Sequence, residues 1–270
     1  GEVKLRNTTV FSGTSQVIVT SGGRLATIAA YPSGQKIWTM GYSATSPQVS
    51  IHACELLPNG NIALASADRN WIRVYSSSQA SPNQGVFSEF ALTSAHGALW
   101  DPSINRLWVL GQLNGVHKLL ALEDTGTAAH PGLKLDTSRR ITIPGLWGHD
   151  LYPDYDDPNK LWVTMNVNAN NGTMGVASYD KTTKIFTWVP GAANRNFVKS
   201  IGNQPGGNQL VETRPDSMKS PAPSPYAPYK PSWNTSTVEF YNKTTGALSA
   251  TRPVSGASFY KARVFDPCYQ

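Results

Sequence analysis

His52-Ala-Cys-Glu-Leu-Leu-Pro-Asn-Gly-Asn-Ile-Ala-Leu-Ala-Ser66 decides the fold. An apolar run over 50–57 stops at Pro58-Asn59-Gly60, residue types that favour a tight turn, and a second run follows over 61–66. Trp71-Ile-Arg-Val-Tyr75 and Gly85-Val-Phe-Ser-Glu-Phe-Ala-Leu92 supply two more runs of strand length, rich in β-branched and aromatic residues. No segment holds a 3.6-residue apolar period over three turns, so helix is expected to be near zero. Four strands within one such unit make a single antiparallel sheet.

The unit recurs. His96-Gly-Ala-Leu-Trp-Asp-Pro102, Lys199-Ser-Ile-Gly-Asn-Gln-Pro205 and Lys261-Ala-Arg-Val-Phe-Asp-Pro267 place a basic residue six positions before a proline, as His52 and Pro58 do. His149-Asp-Leu-Tyr-Pro153 has its proline two residues earlier. Ten to twelve residues after the first four basic positions, the chain reaches Ile62, Leu107, Leu161 and Leu210. The basic positions lie 44, 53, 50 and 62 residues apart, a period that indicates a repeat architecture.

Short strands repeated at this spacing predict an all-β protein, a β-propeller of four-stranded antiparallel blades whose radial closure protects the sheet edges. Residues 1–270 are read as one propeller domain, with blades at about 1–45, 46–94, 95–144, 145–195 and 196–255 and a closing strand at 256–270. Five blades are evident. Phe259-Tyr-Lys-Ala-Arg-Val-Phe265 is expected to be a lone inner strand, either completing the first blade or belonging to a sixth whose other strands precede Gly1. We expect the second, for a chain beginning at Gly1 that is processed or truncated.

Only 15% of residues are charged, and the formal charge of +6 favours an anionic partner at long range. The basic residues are dispersed, without a basic run or a helical reading motif, so nucleic acid is not the expected partner. An acidic polysaccharide or oligosaccharide fits better. No apolar stretch is long enough for a membrane helix. Sequons at Asn7, Asn171, Asn234 and Asn242, with only two cysteines, favour secretion to the extracellular space and a Cys54–Cys268 disulfide. A monomer is expected.

The His52–Ser66 stretch, His96–Pro102 and Gly148-His-Asp-Leu-Tyr-Pro153 together resemble the repeat motifs of an uncharacterised family of secreted bacterial and fungal β-propellers. The likeness covers most of the chain. It implies a six-bladed fold and no particular activity. The proline-rich insertion at 215–233 departs from the simple repeat.

In a radial repeat, equivalent strand starts fall at one channel mouth, so His52, His96, His149, Lys199 and Lys261 form the candidate catalytic set. Three imidazoles could hold one divalent metal ion as cofactor. A His and a Lys could instead move a proton, or each His could fix its strand start by bonding a carbonyl. Two ammonium groups near one point repel unless an anion lies between them, which favours a uronate ligand. Arg69, Trp71, Trp147, Tyr226, Tyr229 and Trp233 supply the polar and aromatic contacts that a sugar cleft needs. No nucleophile elbow, paired-CxxC zinc pattern or phosphate loop occurs. The expected function is therefore action on a uronate-containing glycan as a polysaccharide lyase; a lectin-like binding propeller and a structural scaffold are the alternatives.

Overall fold

A computed structural model describes residues 1–45, 48–79, 85–168, 175–191, 195, 197–224 and 226–267, with side chains at 167 and 168 left aside. The chain has the blades of a β-propeller: five four-stranded antiparallel sheets, each with its strands in sequence order from one edge to the other. They fall into two compact units, Gly1–Thr142 with the C-terminal residues from Phe265, and Ile143–Val264.

The first unit holds three blades. These are β1–β4 (Glu2–Asn7, Gln16–Gly22, Leu25–Ala30, Lys36–Gly41), β5–β8 (Ile51–Leu56, Ile62–Ser66, Trp71–Tyr75, Phe87–Ala91) and β9–β12 (Thr93–Asp101, Arg106–Leu113, Val116–Asp124, Leu133–Thr142). The second holds β13–β16 (Gly145–Pro153, Lys160–Asn168, Gly175–Asp180, Phe186–Trp188) and β17–β20 (Ser200–Asn203, Gln209–Thr213, Thr237–Asn242, Leu248–Pro253).

Alternation along each strand explains how blades stack. Successive side chains leave a strand on opposite faces. Ile62 and Leu64 of β6 join Val17, Val19, Ile28 and Trp38 of the first blade in one core. Ala63 and Ala65 between them face Trp100, Leu107 and Leu120 of the third blade in another. Small residues on one face thus receive the bulk of the neighbour, as close packing requires. β6 is buried along its whole length, while the outermost β8 and β20 are largely exposed. In the second unit, Trp162, Val176 and Val189 pack on Ile201, Leu210 and Tyr241.

The Pro58-Asn59-Gly60 turn forms as read, with Gly60 at φ +81° and its N–H donating to the Leu57 carbonyl. A Cβ there would lie 2.8 Å from Val10 Cγ1 in addition to the strained φ, so glycine is needed.

Phe259–Phe265 departs from expectation. Phe259 makes an isolated bridge to Thr235, and residues 261–267 form no strand. Side chains hold the segment instead of a ladder. Thr213 Oγ1 donates to the Tyr260 carbonyl at 2.9 Å, and the Ala262 N–H donates to Ser200 Oγ at 3.1 Å. Among the described residues, no helix is long and apolar enough to cross a membrane.

Candidate functional site

Three of the basic positions picked out by the repeat sit at irregularities in the pairing of their strands. The β5–β6 pairing skips His52 between Ile51–Ser66 and Ala53–Ala65, and the β13–β14 pairing skips His149 between Gly148–Met165 and Asp150–Thr164. His96 lies in a larger register shift of β9 against β10, between Thr93–Gln112 and Gly97–Leu110. Bulges re-aim the extra side chain away from the regular alternation. Two residues before His96, His149 and Lys199, the residues Ser94, Trp147 and Phe197 take the left-handed region at φ +53°, +56° and +58°. Such backbone in a non-glycine residue costs energy and persists only where its surroundings fix it.

In the first unit, His52 and His96 stand side by side with ring centroids 4.4 Å apart. Nδ1 of His52 lies 2.9 Å from the Ser50 carbonyl and Nδ1 of His96 lies 2.8 Å from that of Ser94. A carbonyl only accepts, so Nδ1 carries the hydrogen in both rings. The same unit holds a buried ion cluster. Glu55 receives Arg6 through two bonds of 2.7 and 2.9 Å and Lys4 Nζ at 3.0 Å, and Lys4 also donates to the Ala98 carbonyl. Burial alone would raise the Glu55 carboxyl, but Arg6 and Lys4 outweigh it and hold it below its usual value. Cys54, beside it, is a free buried thiol pushed up to about 12 by burial and then by Glu2. Its expected partner, Cys268, lies outside the described residues.

The second unit places a lysine against a histidine. Lys199 and His149 are 1% and 5% exposed, and Lys199 Nζ lies 2.9 Å from His149 Nε2. The Tyr260 hydroxyl lies 3.2 Å from His149 Nδ1. The Lys199 ammonium position is ringed by Phe197, Trp233 and Tyr260, with centroids 5.4, 5.2 and 5.9 Å away. Such rings favour the cation. Burial and then the charge of Lys261 act the other way and prevail, bringing the Lys199 amine down to about 7. Burial, and then Asp150, push the Tyr260 hydroxyl up. Tyr260, His149 and Lys199 thus form one hydrogen-bonded chain, with the imidazole between the hydroxyl and the amine.

Lys261 serves a different role from the anion binding expected of it. Its side chain is fully buried and donates to Asp150 Oδ1 at 2.8 Å, while Arg263 grips the same carboxylate. A protein carboxylate thus already meets the charge of Lys261. His149 spends its two ring nitrogens on Lys199 and Tyr260, and among the described residues no group of three His, Cys, Asp or Glu has the geometry of a metal site.

The predicted sugar contacts divide. Trp71 is 3% exposed and belongs to the core between the first two blades, because its position on β7 faces the first blade. That corrects its reading as an exposed contact. Arg69 is exposed. In the second unit, Trp147, Tyr226, Tyr229 and Trp233 are 48%, 42%, 61% and 54% exposed. The loop carrying the last three is held by buried Asp216, which accepts from the N–H groups of Ala227 and Ser236, from Thr235 Oγ1 and from Lys219 Nζ. A cleft of about 260 Å³ opens elsewhere in this unit, between Pro221, Pro223, Thr237 and Leu248, and includes neither Lys199 nor His149. Of the sequon residues, Asn7 is exposed, Asn234 and Asn242 are partly buried, and Asn171 lies outside the described residues.

Asp150, Tyr260 and Arg263 were not singled out by the sequence. Only one signal could have found the last: Lys261-Ala-Arg263 repeats the spacing of Lys4-Leu-Arg6, and both pairs clamp one buried carboxylate.

Among solved structures, the hydrazine synthase of Kuenenia stuttgartiensis is 11% identical over 93% of this chain and 65% of that one, with a TM-score of 0.54. A chain of the nidogen/laminin complex is 13% identical over 92% and 78%, at 0.53. A chain of the mitotic checkpoint complex is 14% identical over 93% and 63%, at 0.47. The chain thus spans just under two thirds of two of these three, and the first two likenesses bear on the fold alone. No curated protein matches it. Residues 5–215 match the family of unknown function DUF6528, and the chain belongs to that family.

Proposed function

We propose that this protein is a secreted, carbohydrate-active protein that cleaves a uronate-containing glycan by β-elimination, with Lys199 as the base. The observation that carries the reading is a buried amine brought to about 7 and joined to His149. A general base works best when its pKa lies near the working pH. Lys199 would take the proton beside the uronate carboxylate, the electron pair would form the new C=C, and the glycosidic oxygen would leave with a proton from the His149–Tyr260 end. Exposed Trp233 and Tyr229 offer ring faces to the sugar, and the charge of +6 draws an anionic chain. Trp233, in contact with the buried amine and half exposed, is the group a substrate must displace.

Incubation with a panel of uronate polysaccharides tests this. New ultraviolet absorbance from the conjugated product, lost in Lys199→Met and His149→Ala, is the expected result. Binding without absorbance would favour the lectin-like reading, and neither would leave a scaffold. Elemental analysis of the purified protein tests whether a divalent ion is bound at all.

A further inference from the structure

We infer that Lys199 is a carbonyl-capturing nucleophile, whose amine condenses with the aldehyde of an open-chain sugar or uronic acid to form an imine. This rests on the reading that Lys199 lies in the working site, and it adds covalent chemistry to that site.

The contrast with the other buried lysines carries the inference. Lys4 and Lys261 each donate to a carboxylate, at 3.0 and 2.8 Å. Those contacts occupy the hydrogens of the side-chain nitrogen. Lys199 meets none among the described residues; it faces an imidazole nitrogen and three aromatic rings. An amine desolvated among apolar groups is an arrangement that activates lysine toward carbonyls.

The steps balance. The free amine adds to the carbonyl carbon, a C–N bond forms, and the C=O electron pair moves to oxygen. One nitrogen proton passes through His149 to the oxygen, giving the carbinolamine; a second proton, drawn from solvent through the same chain, lets the oxygen leave as water and gives the iminium. That cation lies where Phe197, Trp233 and Tyr260 present their ring faces, so the cage stabilises the adduct more than the free amine.

The charged and titratable groups around Lys199 set its pH dependence. They are His149 and Asp150 on β13, and Tyr260, Lys261 and Arg263 on the C-terminal segment. Asp150 is neutralised by Lys261 and Arg263. Near pH 7, Lys199 then holds on the order of a thousandfold more free amine than an ordinary lysine.

The test treats the whole protein at pH 7 with glyceraldehyde and, separately, glucuronic acid, each with sodium cyanoborohydride, and maps the reduced adducts by peptide mass spectrometry. Lys199 should be modified at least tenfold faster than any exposed lysine, with a rate that rises through about pH 7. The Lys199→Met protein should lose that fast adduct, and Trp233→Ala should gain rate by opening access. Label confined to exposed lysines in both the native and Trp233→Ala proteins would overturn the inference. Lyase activity is read without trapping reagent, and trapping without polysaccharide, so either result can fail while the other stands.

Discussion

Arg263 grips Asp150 through two hydrogen bonds of 2.6 and 2.7 Å, with Lys261 on the same carboxylate at 2.8 Å. Arg6 and Lys4 hold Glu55 in the same way. Each carboxylate is the counter-charge of two buried cations. Removing one member of a buried ion cluster leaves uncompensated charge in a medium that solvates it poorly. We therefore expect Asp150→Asn and Glu55→Gln each to destabilise by about 3–5 kcal/mol in denaturant unfolding. Glu89→Gln, which breaks the exposed pair with Arg73, should cost less than about 1 kcal/mol. Equal losses at all three sites would show that burial is not what makes the two clusters matter.

Acid should act through the same clusters. Glu55 titrates below its unfolded value, and Asp136 is brought down to about 2, where burial is outweighed by hydrogen bonds from Ser138 and Arg139. A carboxyl with a depressed folded pKa contributes stability that is complete above its unfolded pKa and is lost as pH falls through the folded one. Stability should thus hold down to about pH 4.5 and drop steeply below. Tryptophan fluorescence followed through an acid titration measures this, and Glu55→Gln should flatten the slope between those limits. An unchanged slope would remove Glu55 from the acid transition.

Cys54 should be chemically silent in the native protein. A thiol raised to about 12 and wholly buried offers almost no thiolate at pH 8. Iodoacetamide should leave it unmodified until urea is added, after which it should react fully. Rapid labelling without denaturant would mean that the first two blades open locally.

Much of the architecture could be read from residue patterns, because short apolar runs and turn residues act locally. Leu56, Pro58-Asn59-Gly60 and Ile62 place two strands and their turn whatever surrounds them. The basic register was also legible, and it marks a real feature, the bulge of the inner strand at His52 and His149. Its chemistry was not legible. Lys199 and Lys261 look alike in sequence, yet one meets His149 and the other Asp150, and only tertiary contacts separate a reactive amine from an ion-paired one. Trp71 failed for a related reason: facing a neighbouring blade and facing solvent leave the same alternating pattern. Phe259–Phe265 has the composition of a strand, but side-chain contacts from Thr213, Ser200 and Asp150 take the place of a ladder.

The Lys199 amine should leave its mark on alkaline stability. Its pKa is about 7 in the fold and 10.5 without it, so between those values the unfolded chain binds one more proton than the native one. Stability rises with pH wherever that holds. The native protein should thus gain stability from about pH 7 upward, the reverse of what a lysine paired with a carboxylate would give. Lys199→Met should remove that rise. It should also make the protein more stable at pH 6, by about 1 kcal/mol or more, because a buried charge is replaced by an apolar chain. Lys261→Met should raise the Lys199 midpoint, since it removes a repelling charge and partly unmasks Asp150. Urea unfolding at pH 6, 7.5 and 9 on the three proteins measures all of this. If native and Lys199→Met proteins show the same pH dependence, Lys199 is an ordinary ammonium, and the base and nucleophile built on it are withdrawn.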